Sequence, residues 1–77
     1  MQIIIDINQD QFIEEVVEKS KTTAVLVDFW APWCGPCKTL GPQLEEAVKA
    51  ENGAVTMAKV NIDENQMIAG QMQVQSI

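Results

Sequence analysis

From Ala24 to Trp30 the chain reads Ala-Val-Leu-Val-Asp-Phe-Trp, apolar at every position but Asp28. Unbroken apolarity, rather than alternation, is what a strand covered on both faces shows. The stretch therefore predicts a central strand of a parallel sheet with helices packed above and below it. Ala31-Pro32 closes the strand, because proline has no N–H to give to a ladder.

The neighbouring segments fit such a sheet. Gln2 to Ile7 reads as a first strand. Asn8, with Gln11 three residues on, starts a helix in the manner of a capping box. Phe12, Ile13, Val16 and Val17 form its apolar face, and Glu14, Glu15, Glu18 and Lys19 its solvated one. Ser20 to Thr23 is a polar turn. Beyond the cysteines, Leu40, Leu44, Ala47 and Val48 mark a second amphipathic helix, ended by Asn52-Gly53. Pro42 lies inside that helix, removes a donor toward the Lys38 carbonyl and predicts a kink. Ala54 to Val60 is a third strand. Asp63, with Gln66 three residues on, starts a short last helix in which Met67 and Met72 are expected to fill core gaps. The order is βαβαβα. It implies right-handed crossovers and a three-layer α/β fold around a parallel three-stranded sheet, with residues 1–77 forming a single domain.

Composition narrows the function. With 5 basic against 11 acidic side chains the net charge is −6, which disfavours nucleic acid and anionic membrane surfaces as partners. The chain contains no histidine, so Ser-His and Cys-His catalysis and the commonest metal ligand are excluded. No apolar run approaches the roughly 20 residues of a membrane span. The start of the chain lacks the basic flank and small-residue cleavage site of a signal peptide. A cytoplasmic protein is expected. In that reducing compartment two cysteines are more often catalytic or metal-binding than structural.

Those cysteines are Cys34-Gly35-Pro36-Cys37. An isolated Cys-x-x-Cys is compatible with redox chemistry, a metal site or coincidence. Here the first cysteine follows an apolar strand and opens a helix, whose unpaired amides and dipole favour a thiolate. Cys34 is then the acidic, more exposed nucleophile, and Cys37, one turn along and deeper, the resolving thiol. Pro36 stiffens the loop, and Gly35 lets a partner's backbone approach. Two thiols fill only half of a structural zinc shell, so no metal and no cofactor is expected in the monomer. Asp28 is costly to bury as a charge, so burial should raise its pKa. It lies at the carboxyl end of its strand, where α/β folds place their chemistry. It can act as the base that takes the Cys37 proton, or stand as a structural carboxylate paired with Lys59, or do both. Trp33 is expected as a partly exposed wall beside Cys34, and Trp30 as core.

The segment Val27 to Lys38, with its Trp-Cys-Gly-Pro-Cys core, resembles the active-site signature of the thioredoxin family. Pro42 is similar to that family's helix-kinking proline, and Lys59 to Asp63 resembles the segment whose lysine neighbours the buried aspartate. The resemblance spans Gln2 to Ile77. It implies a thioredoxin-like fold, Cys34 and Cys37 as the redox pair with Asp28 and Lys59 beside them, and Trp33, Gly35 and Pro36 at the substrate groove. It also implies reduction of disulfides in protein substrates, with electrons from a flavin- and NADPH-dependent reductase.

The family pattern continues past a segment like Gln75-Ser76-Ile77 with a cis-proline, two antiparallel strands and a last helix. The 77 residues are therefore expected to be incomplete at the C-terminal end of the domain. The strand from Ala24 to Trp30 would then keep an uncovered edge, and the isolated piece should be partly disordered or self-associate through it. Two functions follow: a thiol–disulfide oxidoreductase, or a thioredoxin-like docking or holdase module of a co-chaperone bearing tetratricopeptide repeats.

Overall fold

Three parallel strands and two α-helices carry the chain in a computed structural model that describes residues 2–74 and 77. The strands are β1 (Ile4–Asp6), β2 (Ala24–Trp30) and β3 (Val55–Asn61), and the sheet order is β1-β3-β2. Both pairings are parallel, as the alternation of strands and helices implies. The helices are α1 (Gly35–Ala50) and α2 (Gln66–Gln71). Of the terminal segment singled out in the sequence, Gln75 and Ser76 lie outside the described residues.

Lateral partners in a parallel sheet share a face, so the register sorts the side chains into two layers. One face carries Ile5 and Ile7, Ala58 and Val60, and Val25, Val27 and Phe29. It packs against Phe12 and Val16 from the segment after β1 and against Ile68 of α2. The other face carries Asp6, Lys59 and Asp28 in one lateral row and meets α1, which turns Gly41 and Val48 inward. The three-layer arrangement is thus present, and the polar row lies on the α1 side.

The covered strand is β3, not β2. Met57, Ala58 and Val60 of β3 are at most 1% exposed. No residue of β2 is fully buried, and β3 is the one strand paired with it among the described residues. Apolar content measures what a strand is able to bury; the number of neighbouring strands decides what it does bury. The outer edge of β2 is accordingly an open ladder.

Local winding departs from expectation in two places. The segment after β1 is helical but not α-helical: a 3-10 turn at Gln9–Gln11, a π-wound stretch at Ile13–Glu18 and a second 3-10 turn at Lys19–Lys21. Its β-branched residues Ile13, Val16 and Val17 weaken the preference for α winding. Its start does use Asn8 and Gln11, with the Asn8 N–H donating to Gln11 Oε1 at 2.9 Å. The last helix starts at Gln66 after Asn65, not at Asp63. Asn65 is buried; its Nδ2 donates to the Asn61 carbonyl and its Oδ1 accepts from the Gln9 N–H at 2.7 Å. One amide thus ties the start of the first helical segment to the β3–α2 turn.

Helix α1 runs through Pro42 without interruption and ends before Asn52 and Gly53, both in the left-handed region at φ 52° and 93°. Leu40 is exposed on it rather than buried. Met67 and Met72 are also exposed, whereas Met57 is wholly buried. Helix α2 has 6 residues, and Ile68 and Ala69 are the ones it turns inward. Among the described residues no helix is long and apolar enough to cross a membrane.

This division of the methionines gives a direct test. Met57→Ala is expected to cost about 2–5 kcal/mol. Met67→Ala should stay within about 0.5 kcal/mol of the parent. Urea midpoints of the two variants should separate accordingly; equal midpoints would contradict the placement of Met57.

Candidate active site

β2 delivers the chain to the site and α1 begins it. Trp30 ends the strand, Ala31 is buried in the corner, and Cys34 occupies the position before the first turn of α1. Pro36 suits that first turn, because its missing N–H has no helical acceptor there. Cys34 and Cys37 form a disulfide with Cα atoms 5.3 Å apart, so the fold is in its oxidised state. The Cys34 N–H donates to the Ala31 carbonyl at 3.1 Å, and the Cys37 N–H donates to Cys34 Sγ at 3.2 Å. One free amide of α1, that of Cys37, thus aims at the Cys34 sulfur, where it would favour a thiolate.

The exposures of the two sulfur residues are the reverse of the expected order. Cys34 is 3% exposed and Cys37 is half-buried. Cys34 is folded into the corner between the end of β2 and the start of α1. Cys37 faces an open cavity of about 290 Å³ under α1, also lined by Asp28, Trp30, Pro42, Glu45 and Lys59. Trp33 is 60% exposed, and Gly35 and Pro36 are exposed beside it. Trp33 is also anchored: its Nε1–H donates to both carboxylate oxygens of Asp63, at 3.0 and 3.1 Å. Trp30 is not core. It is half-buried on the cavity wall, with its Nε1 enclosed and unpartnered.

Asp28 shares the cavity with Cys37, as expected, and its carboxyl is pushed above the usual value of 3.8. Burial is the main cause; the Lys59 charge opposes it and the Glu45 charge adds to it. Lys59 is the lateral partner of Asp28 in the sheet, but its ion pair is with Glu45, Nζ to Oε2 at 3.1 Å. The ammonium also lies 5.6 Å from the centroid of the Trp30 ring.

Glu45 and Asp63 are the site residues that reading the sequence missed. A signal for Glu45 existed: Cys37, Gly41 and Glu45 follow one another at four-residue steps, which places them on one face of α1. Asp63 carried no such signal, because its partner Trp33 lies 30 positions away. Among the described residues no three Cys, Asp or Glu side chains cluster so as to hold a metal ion.

The raised Asp28 value makes stability depend on pH. A folded chain that binds this proton more tightly than the unfolded chain is most favoured below 3.8. That contribution is lost as pH rises from there through the raised folded value. Asp28→Asn, neutral throughout, is thus expected to be more stable than the parent near pH 7. The advantage should shrink as pH falls toward 3.8. Thermal melts of both proteins across that range check it; an advantage that grows on acidification would refute the assignment.

The thioredoxin family model matches residues 3–77. A thioredoxin of Chlorobaculum thiosulfatiphilum is 50% identical over 66 residues, covering 86% of this chain and 59% of the relative. Thioredoxin 1 of Synechococcus elongatus is 42% identical over 77 residues, covering all of this chain and 70% of the relative. A bifunctional thioredoxin reductase/thioredoxin of Mycobacterium leprae is 41% identical over 75 residues, 97% of this chain and 16% of the relative. The chain thus spans roughly six-tenths of the length of curated relatives such as the first.

Proposed function

The chain belongs to the thioredoxin family, and from that premise we propose that it is a thiol–disulfide oxidoreductase that reduces disulfides in protein substrates. The observation that carries this reading is the Cys34–Cys37 pair at the start of α1, with the Cys37 N–H given to Cys34 Sγ. That hydrogen bond and the helix start favour Cys34 as the thiolate, although it is the less exposed of the two. Trp33, Gly35 and Pro36 form the exposed rim against which a substrate chain would lie.

The chemistry follows from these positions. The Cys34 thiolate attacks one sulfur of the substrate disulfide; that bond breaks, and the other substrate sulfur leaves as a thiolate and takes up a proton. Cys37 then passes its proton to Asp28 across the cavity and attacks Cys34 Sγ. The Cys34–Cys37 bond forms, the mixed disulfide breaks, and the second substrate sulfur leaves and is protonated. Two electrons have passed to the substrate, and the chain is oxidised. Lys59, beside Asp28 in the sheet, tempers the charge that Asp28 carries in this exchange.

A reductant must then reopen the Cys34–Cys37 bond. The relative that joins a thioredoxin reductase and a thioredoxin in one chain supports a thioredoxin reductase in that role, and the family resemblance implies that it is flavin- and NADPH-dependent. A reducing reaction of this kind suits the cytoplasm. The relatives named above point to no repeat-bearing co-chaperone. The open edge of β2 supports self-association of the isolated 77 residues through that strand. Sedimentation of the piece should show concentration-dependent dimers, and a strict monomer would argue against it.

Two measurements test the reaction. Cys37→Ser should accumulate a mixed disulfide with a protein substrate, while Cys34→Ser should not; the reverse pattern would exchange the two roles. Asp28→Asn should slow resolution of that mixed disulfide near pH 7 by on the order of a hundredfold. Unchanged resolution would leave Asp28 a structural group.

A further inference from the structure

Lys59 stands among three carboxylates and is bonded to the one that lies outside the sheet. Asp6 and Asp28 are its lateral partners on either side in the sheet. Glu45 reaches it from α1, and Glu45 takes the ion pair. The other ion pairs among the described residues join positions three or four apart within one helical segment. Lys59–Glu45 alone links two layers of the fold, and with side chains 22% and 28% exposed it is shielded more than a surface pair. The Trp30 ring gives the ammonium a second support from the sheet side.

The consequence falls on the cavity. Asp28 is faced by Lys59 from β3 and by Cys37, Lys38 and Glu45 from α1. An ammonium bonded directly to Asp28 would hold its carboxylate as an ion and make it a poor acceptor for a thiol proton. We propose that Glu45 is a positioning residue for the exchange: it holds the Lys59 ammonium at the α1 wall and leaves the Asp28 carboxyl free to take the Cys37 proton. This rests on the reading of Asp28 as that acceptor. Glu45 touches neither sulfur, and it acts through Lys59.

Glu45→Gln keeps the shape of the side chain and removes its hold on the cation, so Lys59 turns to Asp28. In the full chain, the Asp28 carboxyl can be followed by carbon-13 NMR across pH in the parent, Glu45→Gln, Lys59→Met and the double variant. Resolution by Cys37 can be followed in stopped flow as release of thionitrobenzoate from its mixed disulfide with Cys34. Glu45→Gln is expected to move the Asp28 midpoint to lower pH, and to move the rise of the release rate the same way with a lower plateau. In the Lys59→Met background the Glu45→Gln shift should be much smaller. An Asp28 midpoint unmoved by Glu45→Gln, or moved equally with and without Lys59, overturns the positioning role while leaving Asp28 as acceptor untouched. A midpoint that moves while the release profile stays that of the parent overturns the acceptor reading instead, and the proposal with it.

Discussion

The parallel pairing of β3 with both of its neighbours is the constraint on which the rest of the structure depends. Met57, Ala58 and Val60 are the most enclosed apolar side chains of the sheet, and among the described residues no other strand is covered on both faces. With β3 in the middle, the register decides which side chains of β1 and β2 stand beside it. It brings Asp6, Lys59 and Asp28 into one row and turns that row toward α1. The opposite face is apolar apart from Thr56 and is closed by Phe12, Val16 and Ile68. A slip of one residue would exchange the faces, placing the charged row in the core and the apolar row under α1. The chemistry of the site and the stability of the core are thus held by one register.

The site itself is an arrangement of opposed electrical demands. The start of α1 offers the Cys37 N–H to Cys34 Sγ and favours negative charge there. Under the same helix, burial presses Asp28 to keep its proton. Lys59 works against that pressure, and Glu45 both draws Lys59 aside and adds negative charge. Cys37 thus stands between a sulfur that accepts its amide hydrogen and a carboxyl that resists ionisation. The cavity that Asp28 and Cys37 share is large enough to admit water.

Much of this was legible before any coordinates. The βαβαβα order, the helix start at the cysteines and the interior Pro42 follow from local pattern, whereas Lys59 beside Asp28 was expected from charge pairing and the family resemblance. What was misread concerns partners distant in sequence. Met67, Met72 and Leu40 are apolar at helical spacing, yet no layer covers them, and a periodic pattern cannot say whether a cover exists. Trp30 ends an apolar strand, yet it borders a cavity because α1 stands off from the sheet there. The bonds of Lys59 to Glu45 and of Trp33 to Asp63 join positions 14 and 30 apart, beyond the reach of any turn or helix rule.

The sequence by itself determined the element order, the face each side chain takes within its element and the chemistry present at the turn after β2. These depend on periods of 2 and 3.6 residues and on proline and glycine, which act over a few neighbours. Only the tertiary structure decided that β3 rather than β2 is the covered strand, that Cys34 is more enclosed than Cys37, and that Glu45 rather than Asp28 binds Lys59. The reason is physical. Burial and ion pairing are set by which segments meet in space, and the three acidic neighbours of one lysine can be ranked only once the distances exist.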